Sequence, residues 1–84
     1  MKKEIYKEIL EHCAYLEHER WSKWQSYLHD KCSRHPDGLL ISQSDVNHWE
    51  RQIKTDYKDL TEEEKESDRE QVRPYLDYIK SKLK

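Results

Sequence analysis

The sequence is poor in the residues that usually interrupt helices, with one glycine and two prolines among its 84 residues. Glycine-rich phosphate loops are excluded, because each of those motifs needs several glycines. Long apolar runs are also missing: the longest, Leu39 to Ile41, is far shorter than the ~20 residues that cross a bilayer. We therefore expect a cytoplasmic protein with neither a signal peptide nor a membrane partner.

Cysteine is scarce as well, and we expect Cys13 and Cys32 to be reduced thiols rather than a disulfide framework. His29, Cys32 and His35 follow an H-x-x-C-x-x-H pattern. A tetrahedral zinc site needs further paired ligands, but His12 and Cys13 are adjacent on a helix and point about 100° apart. We expect no metal and no cofactor.

Charge and aromatic content define the class of protein. Charged residues make up 40% of the chain and the formal net charge is −2, which disfavours duplex DNA as a partner. The chain has three tryptophans and six tyrosines, which indicate a folded protein because large rings can form a small core. We expect one domain spanning residues 1–84 that gains further burial as a homo-oligomer.

The periodicity of apolar residues predicts an all-α fold, a compact bundle of three main helices. A long first helix runs from about Lys3 to Lys31, with apolar side chains at steps of three and four residues. Residues 33–44 are expected to form a loop, in which Leu39 to Ile41 at most form a short extended piece. Ser42 or Ser44 caps a short second helix that ends near Thr55.

A third helix is predicted to begin at Thr61. Thr61 and Glu64 have the spacing of a capping box, in which each side chain satisfies a free backbone N–H at the helix start. Pro74 lies inside the apolar pattern of this helix. It removes one backbone donor, so we expect a kink near Glu70 or a break into two helices.

The sequence resembles the ryanodine-receptor repeat (RyR) domain, in its small bacterial and phage forms. The pattern is H-E-R-W on the first helix, followed by Y-x-x-L-x-x-x-E-K-x-x-D-R, whereas the G-W-x-Y-G segment usual in the family is absent. The matching positions are His18, Trp21, Tyr57, Leu60, Glu64, Lys65, Asp68 and Arg69. The resemblance implies a helical domain that binds nucleotide-derived messengers.

Aromatic rings interleaved with cations are the candidate ligand-binding residues. A nucleotide needs a flat surface for its base and guanidinium or ammonium groups for its phosphates. The candidates are Arg20, Trp21, Trp24, Tyr27, Trp49, Arg51, Lys65 and Arg69. The alternative interpretation is structural, with the tryptophans forming the core and the arginines forming surface ion pairs.

Glu17 lies on an otherwise apolar strip of the first helix, where an unpaired carboxylate would be costly. We expect Arg69 to be its partner, with Asp68 and Lys65 completing a polar network between the first and third helices. Two interpretations are open. The network either fixes the helix register or forms the polar wall of a ligand pocket.

No nucleophile motif is present, and His12 does not face Cys13 on a helix, so we predict that the protein is not an enzyme. The resemblance implies a protein that sequesters a cyclic-nucleotide or cyclic-ADP-ribose messenger. Such a sponge would suit phage counter-defence, in which case it acts in the host cytoplasm. The alternatives are a protein-interaction module that uses its aromatic face and an RNA- or single-strand-binding protein.

Overall fold

The computed structural model describes residues 2–83 and is mostly helical. Its elements are α1 (Lys3–Lys31), β1 (Ser33–His35), β2 (Gly38–Leu40), α2 (Gln43–Lys54), a 3₁₀ turn (Tyr57–Asp59) and α3 (Glu62–Lys82). The predicted order of a long, a short and a long helix is confirmed. None of the helices described in residues 2–83 has an apolar stretch long enough to span a membrane.

The long helices α1 and α3 run antiparallel, as predicted. His12 stacks on Tyr78 with ring centroids 4.0 Å apart. One to two turns further along α1, the Tyr75 hydroxyl donates to Glu17 Oε2 at 2.8 Å. A later residue of α1 therefore contacts an earlier residue of α3, so the two helices are antiparallel.

Helix α2 is tied to both long helices at their adjoining ends. Ser42 caps it, and the Ser42 hydroxyl accepts a hydrogen bond from the Asp45 backbone N–H at 3.2 Å. The Asp45 carboxylate pairs with Lys31 at 3.2 Å, which joins the start of α2 to the end of α1. Arg51 pairs with Glu64, which joins α2 to the first turn of α3.

The start of α3 is the predicted capping box. The Thr61 hydroxyl accepts from the Glu64 N–H at 3.2 Å, and the Thr61 N–H donates to Glu64 Oε1 at 3.0 Å. Of the two outcomes expected at Pro74, the break into two helices is wrong, because α3 continues through Pro74 to Lys82. Pro74 and Glu70 are both exposed, so water can satisfy the Glu70 carbonyl that lacks a helical donor.

Residues 33–40 form a hairpin of two short strands, where the sequence predicted a loop with at most a short extended piece at Leu39 to Ile41. Ser33 pairs with Leu40 and His35 with Gly38, which leaves Pro36 and Asp37 as the two-residue turn. Gly38 has φ +144°, a conformation that side chains disfavour. Each strand has only three residues, too few for an alternating pattern to be visible in the sequence.

Within one chain the helices enclose no core. Among residues 2–83 none is fully buried, and Trp21, expected in the core, is 53% exposed. The radius of gyration is 17.1 Å, against about 12 Å for a compact domain of this length. The Cα envelope measures 49 × 34 × 16 Å, so the single chain is long and thin.

Candidate functional site

The candidate site is an open groove at the junction of the three helices, with a volume of about 600 Å³. This volume lies within the range of ordinary small-molecule sites. Helix α1 supplies four lining residues, and α2 and α3 supply three each. They are Arg20, Lys23, Trp24 and Tyr27, then His48, Trp49 and Gln52, then Ser67, Asp68 and Gln71.

Three rings form the aromatic wall of the groove. Trp24 and Trp49 meet edge to face, with centroids 5.6 Å apart and an interplanar angle of 72°. Tyr27 lies one turn beyond Trp24 on α1, and their ring centroids are 5.5 Å apart. Because Trp24 is still 42% exposed, part of its surface is free for a ligand.

Arg20 is the arginine of the groove, and Glu17 holds it in place. Arg20 Nε donates to Glu17 Oε2 at 3.1 Å, and Nη2 donates to Oε1, a bidentate pair one turn apart on α1. Bonds from Arg20 and then from the Tyr75 hydroxyl lower the pKa of Glu17, while the Glu17 carboxylate raises the pKa of Arg20. Arg20 lines the groove, and a guanidinium carries more N–H donors than the two used in this pair.

The other polar lining residues give the groove a mixed charge. Lys23 lies beside Arg20 on α1, and His48 faces from α2, whereas Asp68 contributes a carboxylate from α3. Gln52 and Gln71 each offer both an amide donor and a carbonyl acceptor. The groove therefore combines cations for an anionic group with neutral and acidic groups that can bind N–H and O–H donors.

The structure brings Arg20, Trp24, Tyr27 and Trp49 together, as the sequence predicted. Trp21 does not line the groove. Its ring stacks with that of His18, with centroids 6.2 Å apart, and is 53% exposed.

Arg51 and Lys65 also lie outside the groove. Arg51 is paired with Glu64, whose pKa is lowered first by the Thr61 backbone N–H and then by Arg51. The Lys65 ammonium lies 5.8 Å from the centre of the Tyr57 ring, beside the 3₁₀ turn. In this conformation both side chains contact other residues of the chain outside the groove lining.

The predicted network joining Glu17 to Arg69 is wrong. Arg69 pairs within α3, with Glu62 at 3.3 Å and Glu66 at 3.4 Å. Asp68, its neighbour in sequence, lines the groove instead. Glu17 pairs instead with Arg20 on its own helix and accepts a hydrogen bond from the Tyr75 hydroxyl on α3. Tyrosine is neutral, so a search for oppositely charged residues does not find this partner.

The residues missed by sequence analysis are mainly small or neutral polar ones. Gln52 follows Trp49 by three residues and Gln71 follows Ser67 by four, so helical spacing could have placed each beside a groove neighbour. Serine and glutamine are common on any exposed helix, so their presence in the sequence does not indicate a binding site.

The cysteines and histidines do not converge in the part of the chain that the structure describes. Cys13 and Cys32 are free, half-buried thiols. Over residues 2–83 no group of three or more His, Cys, Asp and Glu side chains is arranged to hold a metal ion.

Comparisons with protein-family models, with curated proteins and with solved structures return no match to this chain. The similarity to the RyR domain therefore stays an expectation from the sequence pattern, and the groove itself is the basis for assigning a function.

Proposed function

We propose that this protein binds and sequesters a nucleotide-derived messenger of the cyclic-nucleotide or cyclic-ADP-ribose type. The observation that supports the proposal is the groove at the helix junction, where Trp24, Trp49 and Tyr27 lie beside Arg20 and Lys23. A planar base and an anionic phosphate are the two groups that such a combination recognises.

The base would stack on the exposed part of Trp24. Stacking of a base on an aromatic ring contributes about 1–3 kcal/mol and tolerates any base. Selection among bases would come from Gln52, Gln71 and Asp68, which can accept hydrogen bonds from a base amino group or a ribose hydroxyl.

The phosphate would bind at Arg20 and Lys23. The bidentate Glu17 pair fixes the Arg20 side chain before the ligand arrives, which reduces the entropy lost on binding. Glu17 also neutralises part of the Arg20 charge, so Lys23 supplies the charge that favours an anion. Among residues 2–83 Lys23 has no ion-pair partner within 4.0 Å.

Sequestration is the simplest role for such a groove, because binding alone removes the messenger from solution. The RyR-like pattern supports the same role, because it implies a nucleotide-sensing context such as phage counter-defence in the host cytoplasm. In that setting, the protein lowers the free concentration of the messenger.

A calorimetric titration across mono-, di- and cyclic nucleotides and cyclic ADP-ribose tests the proposal. Arg20→Ala should weaken binding of the best ligand by about 10- to 100-fold, the effect of losing a charge-assisted contact. Arg34→Ala is the matched control, because Arg34 lies on β1 outside the groove lining. If no nucleotide binds, or if both variants bind like the parent, the proposal fails.

A protein-interaction module is the second candidate. The exposed Trp21, stacked on His18 away from the groove, favours it, because half-exposed tryptophans are typical anchors of protein interfaces. Its distinguishing result is capture of one defined protein by the parent and not by Trp21→Ala, with no nucleotide bound in the titration.

A further inference from the structure

We infer that two copies of this chain pair through one apolar side of the α1–α3 hairpin of helices, independently of what the groove binds. We call this side the α1–α3 apolar face. It consists of Tyr6, Leu10 and Trp21 on α1, Val72, Leu76 and Ile79 on α3, and Leu83 directly after α3.

Helices α1 and α3 carry these residues on the same side of their seam, the line along which the two helices pack against each other. The Tyr75–Glu17 hydrogen bond marks that side. Leu10 and Trp21 flank Glu17 at helical spacings of seven and four residues, so they extend from Glu17 along one strip of α1. On α3, Val72 and Ile79 flank Tyr75 at helical spacings of three and four residues, and Leu76 follows Val72 by four.

The opposite side of the seam has a different composition. There the stacked rings of His12 and Tyr78 lie next to an ion pair between Glu8 and Lys82. Only the side marked by Tyr75 and Glu17 is bordered by a row of aliphatic residues on α3. The α1–α3 apolar face is therefore one-sided, as expected for a surface that packs against another layer of helices.

The face is large enough for a stable pair. Its seven side chains are between 38% and 80% exposed, which leaves roughly 700 Å² of their surface open to solvent for side chains of this size. A standard interface buries about 800 Å² on each partner. The area open on this face is close to that value, and side chains at its edge would supply the remainder.

The partner that covers the α1–α3 apolar face is a second copy of the chain. No side chain in residues 2–83 is buried, so one copy alone lacks the core that normally offsets conformational entropy. Two shallow depressions border the face, one of about 370 Å³ beside Val72 and Leu76 and one of about 420 Å³ beside Tyr6 and Leu10. Apolar side chains of a facing copy can fill them, which makes a four-helix core.

Light scattering coupled to size exclusion tests the pairing. The parent should have twice the single-chain mass of 10.4 kDa at micromolar concentration. Leu76→Glu places a charge in the centre of the face and should raise the dissociation constant at least about 100-fold, because both copies would bury an unpaired carboxylate. Ile53→Glu is the matched control, since Ile53 is an 80% exposed aliphatic residue on α2, and it should leave the mass unchanged.

A second measurement tests whether two copies pair if Leu76→Glu does not fold. The thermal midpoint of the unmodified protein should rise with concentration, because association stabilises only the folded chains. A parent that has the single-chain mass at 100 µM and a thermal midpoint constant over a 100-fold dilution would overturn the inference. So would equal masses for the parent and Leu76→Glu.

Discussion

The Trp24–Trp49 contact gives a quantitative test of the groove, through a double-mutant cycle. The rings meet edge to face at 5.6 Å and join α1 to α2. Trp49 is the less exposed of the two. A tryptophan buries about 150–250 Å² when enclosed, and apolar burial is worth about 25 cal/mol per Å². Both rings are partly exposed, Trp24 by 42%, so Trp49→Ala should cost about 3–5 kcal/mol of unfolding free energy and Trp24→Ala about 2–4 kcal/mol.

The double variant should cost less than the sum of the two. Each single change already removes the ring pair, and an aromatic pair contributes about 0.5–1.5 kcal/mol beyond its burial. We expect a coupling of about 1 kcal/mol. Urea unfolding followed by far-ultraviolet circular dichroism measures each free energy without depending on tryptophan fluorescence.

Tyr15 provides the control for this cycle. It lies nine residues before Trp24 on α1, about 13 Å along the helix, and packs on His12. The effects of Tyr15→Ala and Trp49→Ala should add to within about 0.5 kcal/mol. If the Trp24 and Trp49 changes are equally additive, the two helices do not meet as described and the groove lacks its aromatic wall.

Three further predictions concern stability. Thr61→Ala removes half of the capping box and should cost about 1 kcal/mol in urea unfolding. Gly38→Ala should cost about 1 kcal/mol or more, because φ +144° disfavours a side chain although no atom lies within 4 Å of the added Cβ. Stability should fall on acidification below about pH 4.5. The pKa values of Glu8, Glu17, Glu64 and Glu66 are lowered in the folded chain, so their contribution is complete above the ordinary glutamate pKa of about 4.3 and is lost as they protonate.

Each of these three has a contrary result. An unchanged midpoint in Thr61→Ala would mean that the first turn of α3 frays in solution. An unchanged midpoint in Gly38→Ala would show that the hairpin turn differs from the one described. Stability that stays level or increases between pH 5 and pH 3 would contradict the ion pairs of the four glutamates.

Local signals made the helices predictable. Thr61 and Glu64 satisfy each other's backbone donors at the start of α3, and the Ser42 hydroxyl accepts from the Asp45 N–H at the start of α2. Four neighbouring residues therefore determine each of these two boundaries. The missed hairpin depends instead on the pairing of Arg34 with Leu39 across a turn, which a helical or alternating pattern does not reveal.

The part of the site that spacing alone predicts lies on one helix. Arg20, Trp24 and Tyr27 lie on one strip of α1, so their proximity follows from spacing alone. Which residues of α3 face that strip depends on how the two helices rotate against each other. The Tyr75–Glu17 hydrogen bond fixes that rotation and directs Asp68, rather than Arg69, into the groove.

Calorimetric titration of the parent and Arg20→Ala with cyclic nucleotides and cyclic ADP-ribose tests the central claim most directly. We predict one ligand class that binds the parent, with affinity lowered about 10- to 100-fold in Arg20→Ala and unchanged in Arg34→Ala. No binding to the parent, or equal affinity in all three proteins, would contradict the claim that the groove holds a nucleotide.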